Sequence, residues 1–339
     1  MTDAMLDINP DGKFVLDPAV GKEELLFHFN SAGKQIDSFD IIDYGNYKYS
    51  NFKENDFINY YCGLKSQIIM NQEINLKYDY YIVNPPYNCH EIEYIRDNKK
   101  RLNGIFDDIG THNMYSMFLA GLIDCAKEGS LIGMITLDSF LTAKMHEGLR
   151  KKIIDNCSIH YLVLCPADLF WNQKADVRTC IIILQKGKKY QKKVKVSNRP
   201  LNQLALKNIF AEKKFIEKSI DEINLQNKED SFEFIIDCPE KIRSLFKESR
   251  LGELFSCVTG ISTGNDSKYI SKGKTDYYTI PFYKNPGMRR FYTTPDGYMP
   301  NDFLEIDKKV KNFMVRNKHL LFKEGITCSS MGVSFGACY

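Results

Sequence analysis

What the chain lacks narrows the field first. Its 339 residues hold no uninterrupted apolar segment long enough to span a bilayer and no signal-peptide pattern, which argues against a membrane span or secretion. Its 10 cysteines are scattered and form no CxxC pair. In a chain of this length that points to free thiols in a reducing cytoplasm, not to a disulfide frame or a metal site. Cys157 and His160 have the spacing of half a zinc site, but no second pair matches them. Internal repeats and low-complexity tracts are missing, as is any PD…(D/E)xK constellation, so no nuclease centre is expected within these residues. Net charge is only +3, which permits nucleic acid as a partner without requiring it. What is present is ordinary: 43% hydrophobic and 26% charged residues describe a globular chain with room for two cores.

The first half alternates strand-like and helix-like segments. Phe14-Val15-Leu16 ends at Asp17, and a helical stretch from Glu23 to Asn30 follows Gly21. A second apolar run, Ile36 to Ile42, ends near Asp40 and Asp43; a third ends at Asn55-Asp56-Phe57; a fourth, Tyr78 to Val83, ends at Asn84. A helix is expected over Tyr115 to Ala126, a strand over Leu131 to Leu137, a helix over Gly148 to Ile154, and strands over Ile159 to Cys165 and Thr179 to Leu184. Such alternation implies parallel strands joined by right-handed crossovers, with ligands beyond the carboxyl ends of the strands. Asp17, Asp40, Asp56 and Asn84 all fall at those ends. From Lys186 to Arg199 the chain is crowded with lysine, as in a solvated linker or a phosphate-tracking patch. Beyond it, a helix-like piece from Glu240 to Phe246 follows Pro239, and from Leu251 the chain is glycine-punctuated and aromatic, with Tyr277, Tyr278, Phe282, Tyr283, Phe291 and Tyr292.

Asn84-Pro85-Pro86-Tyr87 is the most informative tetrapeptide. Two prolines fix φ and remove two donors, so the strand ends in a stiff corner rich in carbonyls. An Asn amide oxygen, a Pro carbonyl and a Tyr ring suit a planar heterocycle with an exocyclic NH₂: two acceptors for its protons and a face to stack on. The plain alternative is a strand terminator with a partly buried tyrosine.

In this order the residues resemble the gamma-class DNA adenine-N6 methyltransferases of type I and type IIG restriction-modification and related phage-defence systems. Asp17-Pro18-Ala19-Val20-Gly21 resembles their DPAxG cofactor loop, the Asp40 region their ribose-binding acid, Asn55-Asp56-Phe57 their adenine-side element and Asn84-Pro85-Pro86-Tyr87 their catalytic NPPY. Asn113, Tyr115 and Phe118, then Gly133 to Thr136 and Ser139 to Leu141, resemble the segment that follows, and Leu251 to Ile270 the opening of a target-recognition domain. The resemblance implies a Rossmann-like α/β methyltransferase fold with a mostly parallel seven-stranded sheet over residues 1–187, a linker with helices over 188–248, and a partial recognition domain over 249–339. It implies S-adenosylmethionine as cofactor, held by Asp17, Pro18, Ala19, Gly21, Asp40, Asp56 and Phe57. The catalytic set would be Asn84, Pro85, Pro86 and Tyr87. Tyr87 and Phe170 would be the walls around a target base flipped out of double-stranded DNA. Asp43 rivals Asp40, and Trp171 rivals Phe170. Restriction or specificity subunits are further expected partners.

Two departures stand out. The family loop carries a second glycine where this chain has Glu23. That acid either stands near the cofactor carboxylate or begins the helix, where a negative charge is favourable. The chain also starts close to the DPAxG strand and stops soon after the recognition domain opens, as a fragment or shortened form would. Methylation of another planar amine (cytosine N4, an RNA base, a protein glutamine) and a catalytically impaired DNA-binding or interaction module are the competing readings.

Overall fold

The computed structural model describes residues 1–70, 76–87, 91–171, 177–227, 229–284, 294–328 and 337–338. The chain divides into two units, Met1–Glu240 and Lys241–Tyr339.

The first unit is built on one sheet. Its strands are β1 (Phe14–Asp17), β2 (Gln35–Asp40), β3 (Asn51–Glu54), β4 (Tyr80–Val83), β5 (Leu131–Leu137), β6 (Cys157–Leu164), β7 (Thr179–Lys186), β8 (Val194–Ser197) and β9 (Ile216–Lys218). They lie in the order β3-β2-β1-β4-β5-β7-β6-β8-β9. From β3 through β5 every pairing is parallel, whereas β7 runs antiparallel to both β5 and β6. The middle strands are apolar at nearly every position because both faces are covered. Leu16, Tyr81, Val83, Ile132, Met134 and Ile182 face one apolar cluster, and Val15, Tyr80, Ile82, Leu131, Ile181 and Ile183 the other.

The helices are α1 (Thr2–Ile8), α2 (Phe27–Ser31), α3 (Phe57–Ile69), α4 (Glu91–Asp97), α5 (Lys99–Ile105), α6 (Met114–Cys125), α7 (Glu147–Asn156) and α8 (Gln203–Ala211). Residues of α3, α6 and α7 fill the first cluster, and those of α1, α2 and α8 the second. Almost every residue of α6 is buried, which places that helix against the centre of the sheet.

The sheet is nine-stranded where seven strands were expected. The extra pair, β8 and β9, falls in the segment read as a linker, β8 within its lysine-rich start. Val194 and Val196 are fully buried, and β8 lies parallel to β6. The intervening Lys195 lies over the Tyr161 ring, 5.0 Å from its centroid, and donates to its hydroxyl. Lys189 pairs with Glu128, Lys193 with Glu222 and Arg199 with Asp138. A period-two valine pattern is therefore hidden by the lysines that flank an outer strand, where such charges are common. The helix expected from Glu23 begins only at Phe27, because Gly21 (φ 53°) and Glu23 (φ 62°) are both left-handed.

The second unit opens with the short helices α9 (Glu240–Arg243, which starts on the dividing residue), α10 (Leu251–Leu254) and α11 (Asp266–Tyr269). Strand β10 (Ile261–Ser262) pairs with β13 (Met314–Val315), and β11 (Tyr278–Phe282) with β12 (Gly297–Pro300). Phe282, Met299, Phe303, Phe313 and Val315 form its core, Phe303 opening helix α12 (Phe303–Lys309). Phe291 and Tyr292 lie outside the described residues.

Candidate active site

Asp17 ends β1, and its register beside Ser38 of β2 sets it two residues short of the level of Asp40. The turn after β1 is stitched to the end of β2. Val20 N–H donates to the Phe39 carbonyl at 2.9 Å, and Gly21 N–H donates to Asp40 Oδ2 at 2.9 Å. Asp40 Oδ1 accepts from Ile42 N–H at 3.1 Å, whereas Asp43 accepts from Gly45 N–H within its own exposed turn. Between the two rival acids, Asp40 is the one against the glycine turn. Ile41 and Ile42 stand exposed directly after it, an apolar surface the sequence reading did not single out.

Asp17 is buried, and Oδ1 accepts from Ala19 N–H at 3.1 Å. Burial pushes its carboxyl up to about 8; the Ala19 N–H opposes that shift, while the Asp40 and Glu23 carboxylates add to it. Pro18 is buried and Ala19 half-buried beside it. At Gly21 a Cβ would meet nothing within 4 Å. The turn therefore has a left-handed backbone that favours glycine, open space next to it, and the Asp40 and Glu23 carboxylates acting on Asp17. An ammonium-bearing, cationic cofactor such as S-adenosylmethionine fits those acceptors.

Glu23 neither points at this turn nor begins a helix. Its side chain is buried and accepts from Lys48 N–H (2.6 Å), Tyr49 N–H (3.1 Å), Ser50 N–H (2.9 Å) and Ser50 Oγ (2.7 Å). Burial works against its charge, but these hydrogen bonds outweigh it and hold the carboxyl below the usual range. Ser50 Oγ also meets Ser38 Oγ on β2 at 2.7 Å. The acid thus locks the connection between β2 and β3, and only its left-handed φ is shared with the glycine it replaces. No local signal announces this, since the partners lie 25 to 27 residues away.

The Asn84-Pro85-Pro86-Tyr87 corner leaves β4, which lies between β1 and β5. Pro85 is buried, while Asn84, Pro86 and Tyr87 are half-buried. The Tyr87 hydroxyl donates to Asn84 Oδ1 at 2.6 Å and approaches the Ile135 carbonyl at 3.3 Å. The acceptor expected for a target amine is thus satisfied by the motif's own tyrosine. Phe170 meets Tyr87 edge-on, with centroids 6.1 Å apart and planes at 76°. Two walls around a base need parallel planes about 7 Å apart, twice an aromatic contact distance, so the rings here close on each other. Trp171 is 74% exposed and points to no such contact.

Asp56 and Phe57 are placed differently from each other. Asp56 Oδ1 accepts from Ile58 N–H at 2.8 Å, at the start of α3, and Oδ2 accepts from the Tyr94 hydroxyl at 3.3 Å. Phe57 is 1% exposed and packs against Phe118 and Tyr60 in the core. Its ring is a core element, not an open face. Asn113, Tyr115 and Ser139 join a network around the buried His146, open to solvent at Ser139, in which Tyr115 OH meets His146 Nε2 at 2.9 Å and Ser139 Oγ at 2.8 Å, and Asn113 Nδ2 meets His146 Nε2 at 3.3 Å. Burial lowers the His146 pKa to about 4, helped by His112 and Arg150, so the ring is neutral there. His160 bonds to Gln185, and no metal-holding cluster exists among the described residues. Cys62, Cys125, Cys157, Cys165, Cys180, Cys238, Cys257 and Cys328 are free thiols, and Cys89 lies outside the described residues. Among the described residues no helix is long and apolar enough to cross a membrane.

Comparison with known proteins bears on this arrangement. The chain is 30% identical over 123 residues to the type II methyltransferase M.BstVI of Geobacillus stearothermophilus, a match covering 35% of this chain and 21% of that protein. It is 28% identical over 165 residues to the type II methyltransferase M.BanIII of Aneurinibacillus aneurinilyticus, covering 42% of this chain and 28% of that protein. The chain therefore matches under a third of either relative's length. Among solved structures, the DrdV–DNA complex aligns with a TM-score of 0.51 at 14% identity, over 80% of this chain and 34% of that one. A nuclease-deletion mutant of the type ISP restriction-modification enzyme LlaGI, bound to a DNA substrate mimic, aligns at 0.50 and 15%, over 80% and 33%. Both likenesses concern the fold. The profile of the N-6 DNA methylase family matches residues 4–244, a stretch that takes in the whole nine-stranded sheet and the strand ends bearing Asp17, Asp40 and Asn84. The chain belongs to the N-6 DNA methylase family.

Proposed function

We propose that this chain carries S-adenosylmethionine-dependent methylation of adenine N6 in double-stranded DNA, within a restriction-modification or phage-defence system. The observation that carries the reading is the convergence of the Asp17–Gly21 turn, Asp40 and the Asn84–Tyr87 corner at the carboxyl ends of adjoining strands β2, β1 and β4. Asp17 suits the cofactor's ammonium group, Asp40 its ribose hydroxyls, and Ile41 and Ile42 the face of its purine. Bound S-adenosylmethionine supplies an electrophilic methyl group. Asn84 Oδ1 and the Pro85 carbonyl accept the two hydrogens of the target amine, favour a pyramidal nitrogen and free its lone pair. The freed lone pair would form the N–C bond as the S–C bond breaks, and the proton left over on the methylated nitrogen would pass to water, so positioning and electrostatics carry the rate with no strong base required beforehand. To admit the amine, Tyr87 gives up its bond to Asn84 and turns its ring onto the base, and Phe170 moves to the opposite face. Stacking there offsets the roughly few kcal/mol lost when a base leaves the duplex. The second unit is read as the start of a target-recognition domain, and restriction or specificity subunits as partners. The DNA named with the DrdV and LlaGI structures agrees with such a substrate.

Incubation with methyl-labelled cofactor and mixed-sequence duplex DNA, followed by single-molecule mapping, tests this. Label on adenine N6, abolished by Asn84→Ala with cofactor binding intact, is expected. An unlabelled duplex, with calorimetry showing no cofactor binding, would leave only a non-catalytic role. Label on cytosine N4, RNA or protein would change the acceptor and keep the chemistry.

A further inference from the structure

The loop after β6 carries Phe170, and beside its own turns (Leu169 N–H to the Pro166 carbonyl, Trp171 N–H to the Asp168 carbonyl) two side chains from outside it hold its described residues. Arg199, just past β8, donates through Nη1 to the Cys165 carbonyl and, at 3.4 Å, to the Thr179 carbonyl. Through Nη2 it donates to the Asp138 carboxylate. One guanidinium thus ties together the chain leaving β5, the chain leaving β6 and the first residue of β7. Four residues on, Gln203 in the first turn of α8 donates through Nε2 to the Asp168 carbonyl at 2.6 Å and approaches the Leu169 carbonyl at 3.3 Å. Leu169 in turn packs on the apolar cluster to which α8 contributes Leu206.

Stability is a poor explanation for the ion pair. Burial raises the Asp138 carboxyl above its usual range, and Arg199 only partly reverses that. A partly buried pair whose desolvation outweighs its attraction is more readily accounted for by the geometry it imposes. Three acceptors on three chain segments also require a planar, multi-donor fork, which lysine does not provide.

We infer that Arg199 and Gln203 are positioning residues for the loop that carries Phe170, so that the segment joining β8 to α8 sets one wall of the target-base pocket. This rests on the function proposed above. It also gives the added strands a purpose: they fix the base of the brace to the sheet.

Trp171 is the chain's single tryptophan, adjoins Phe170 and is 74% exposed, so it reports on the loop directly. Gln203→Ala removes a solvent-exposed side chain and leaves the core untouched. It should lower the anisotropy of Trp171 emission and increase its quenching by acrylamide, with cofactor affinity by calorimetry unchanged. Methyl transfer to mixed-sequence duplex DNA should fall about three- to tenfold in kcat, the value of one hydrogen bond. Arg199→Gln should cost about a hundredfold, as a misplaced positioning group does. Combined with Phe170→Ala, Gln203→Ala should add no further loss, because both act through one ring. Wild-type-like Trp171 emission in Gln203→Ala, or losses that multiply in the double variant, would overturn the inference. Were the unaltered chain inactive on DNA, the proposed function alone would fall, and the Trp171 signal would still decide whether the brace exists.

Discussion

Replacing Glu23 with glycine, the residue its family loop carries, separates two opposite views of this acid. If Glu23 were a charge intruding on the cofactor turn, its removal would tighten cofactor binding. The structure predicts the reverse. Its carboxylate accepts from three backbone N–H groups and one hydroxyl on residues 48–50. Hydrogen bonds to an ionised group are worth about 1.5–3 kcal/mol each when dry, but these donors are partly exposed and water recovers much of that. A loss of about 0.5–1 kcal/mol per donor gives about 2–4 kcal/mol for Glu23→Ala. Glycine recovers about 1–2 kcal/mol, because φ at this position is 62° and a left-handed backbone strains any side chain. Glu23→Gly should therefore be net destabilising by about 1–2 kcal/mol, with Glu23→Ala the worse of the pair. In a unit of this size that is a fall of about 2–4 °C in Tm per kcal/mol. Cofactor affinity should weaken in the same order, since the freed loop follows directly from Asp40, Ile41 and Ile42. Thermal unfolding and titration calorimetry on both variants provide the check. A Glu23→Gly protein that is more stable than the parent, or that binds cofactor more tightly, would refute the lock.

Asp17 sets a pH dependence. Burial pushes its native carboxyl up to about 8 against 3.8 for an unperturbed one, so between those values the native state keeps a proton that the unfolded state has lost. Its contribution to stability is full below about pH 4 and is lost as pH rises through about 8. Asp17→Asn should flatten that decline in denaturant titrations run at pH 5 and pH 8, and an undiminished slope would contradict it. Tyr87→Phe removes the hydroxyl that occupies Asn84 Oδ1 but keeps the ring. Methyl transfer should stay within about tenfold of the parent, whereas Tyr87→Ala should lose far more; equal losses would refute a stacking role. Arg150 is fully buried and donates to the Phe140, Ala143 and Ser231 carbonyls. Arg150→Met should destabilise by about 3–5 kcal/mol through the acceptors left unpaired, read as a lower urea midpoint, and a change below about 1 kcal/mol would show that those acceptors find other partners.

The elements that were legible in the sequence are those whose cause is local. Apolar runs closed by Asp17 and Asn84 mark β1 and β4, because a strand covered on both faces must be apolar and must end where polarity returns; β2 shows only Ile36 and Phe39 as buried apolar residues among polar ones. What was illegible depends on distant partners. The valines of β8 are ordinary strand residues, but the surrounding lysines imitate a linker, and only the neighbouring β6 turns the segment into sheet. Glu23 reads as a helix start until residues 48–50 supply its donors. Phe57 follows an acid at a strand exit, as a cofactor-facing ring would, yet it opens α3 and is drawn into the core by Phe118. The mutual orientation of Tyr87 and Phe170 belongs to two loops 83 residues apart in number, 87 and 170, and no spacing rule contains it.

The acids gathered at the strand exits have a consequence for turnover. In the proposed reaction the fresh cofactor carries a sulfonium charge that the spent one has lost, while the rest of the molecule is unchanged. The Asp40 carboxylate against the glycine turn brings negative charge to that side of it, so the site's potential distinguishes the two forms by charge as well as by the lost methyl group. Discharge of the sulfur weakens the hold on the product at the moment the methyl group departs. Cofactor exchange thus acquires a direction from electrostatics, and added salt should blunt the preference for fresh over spent cofactor by screening it.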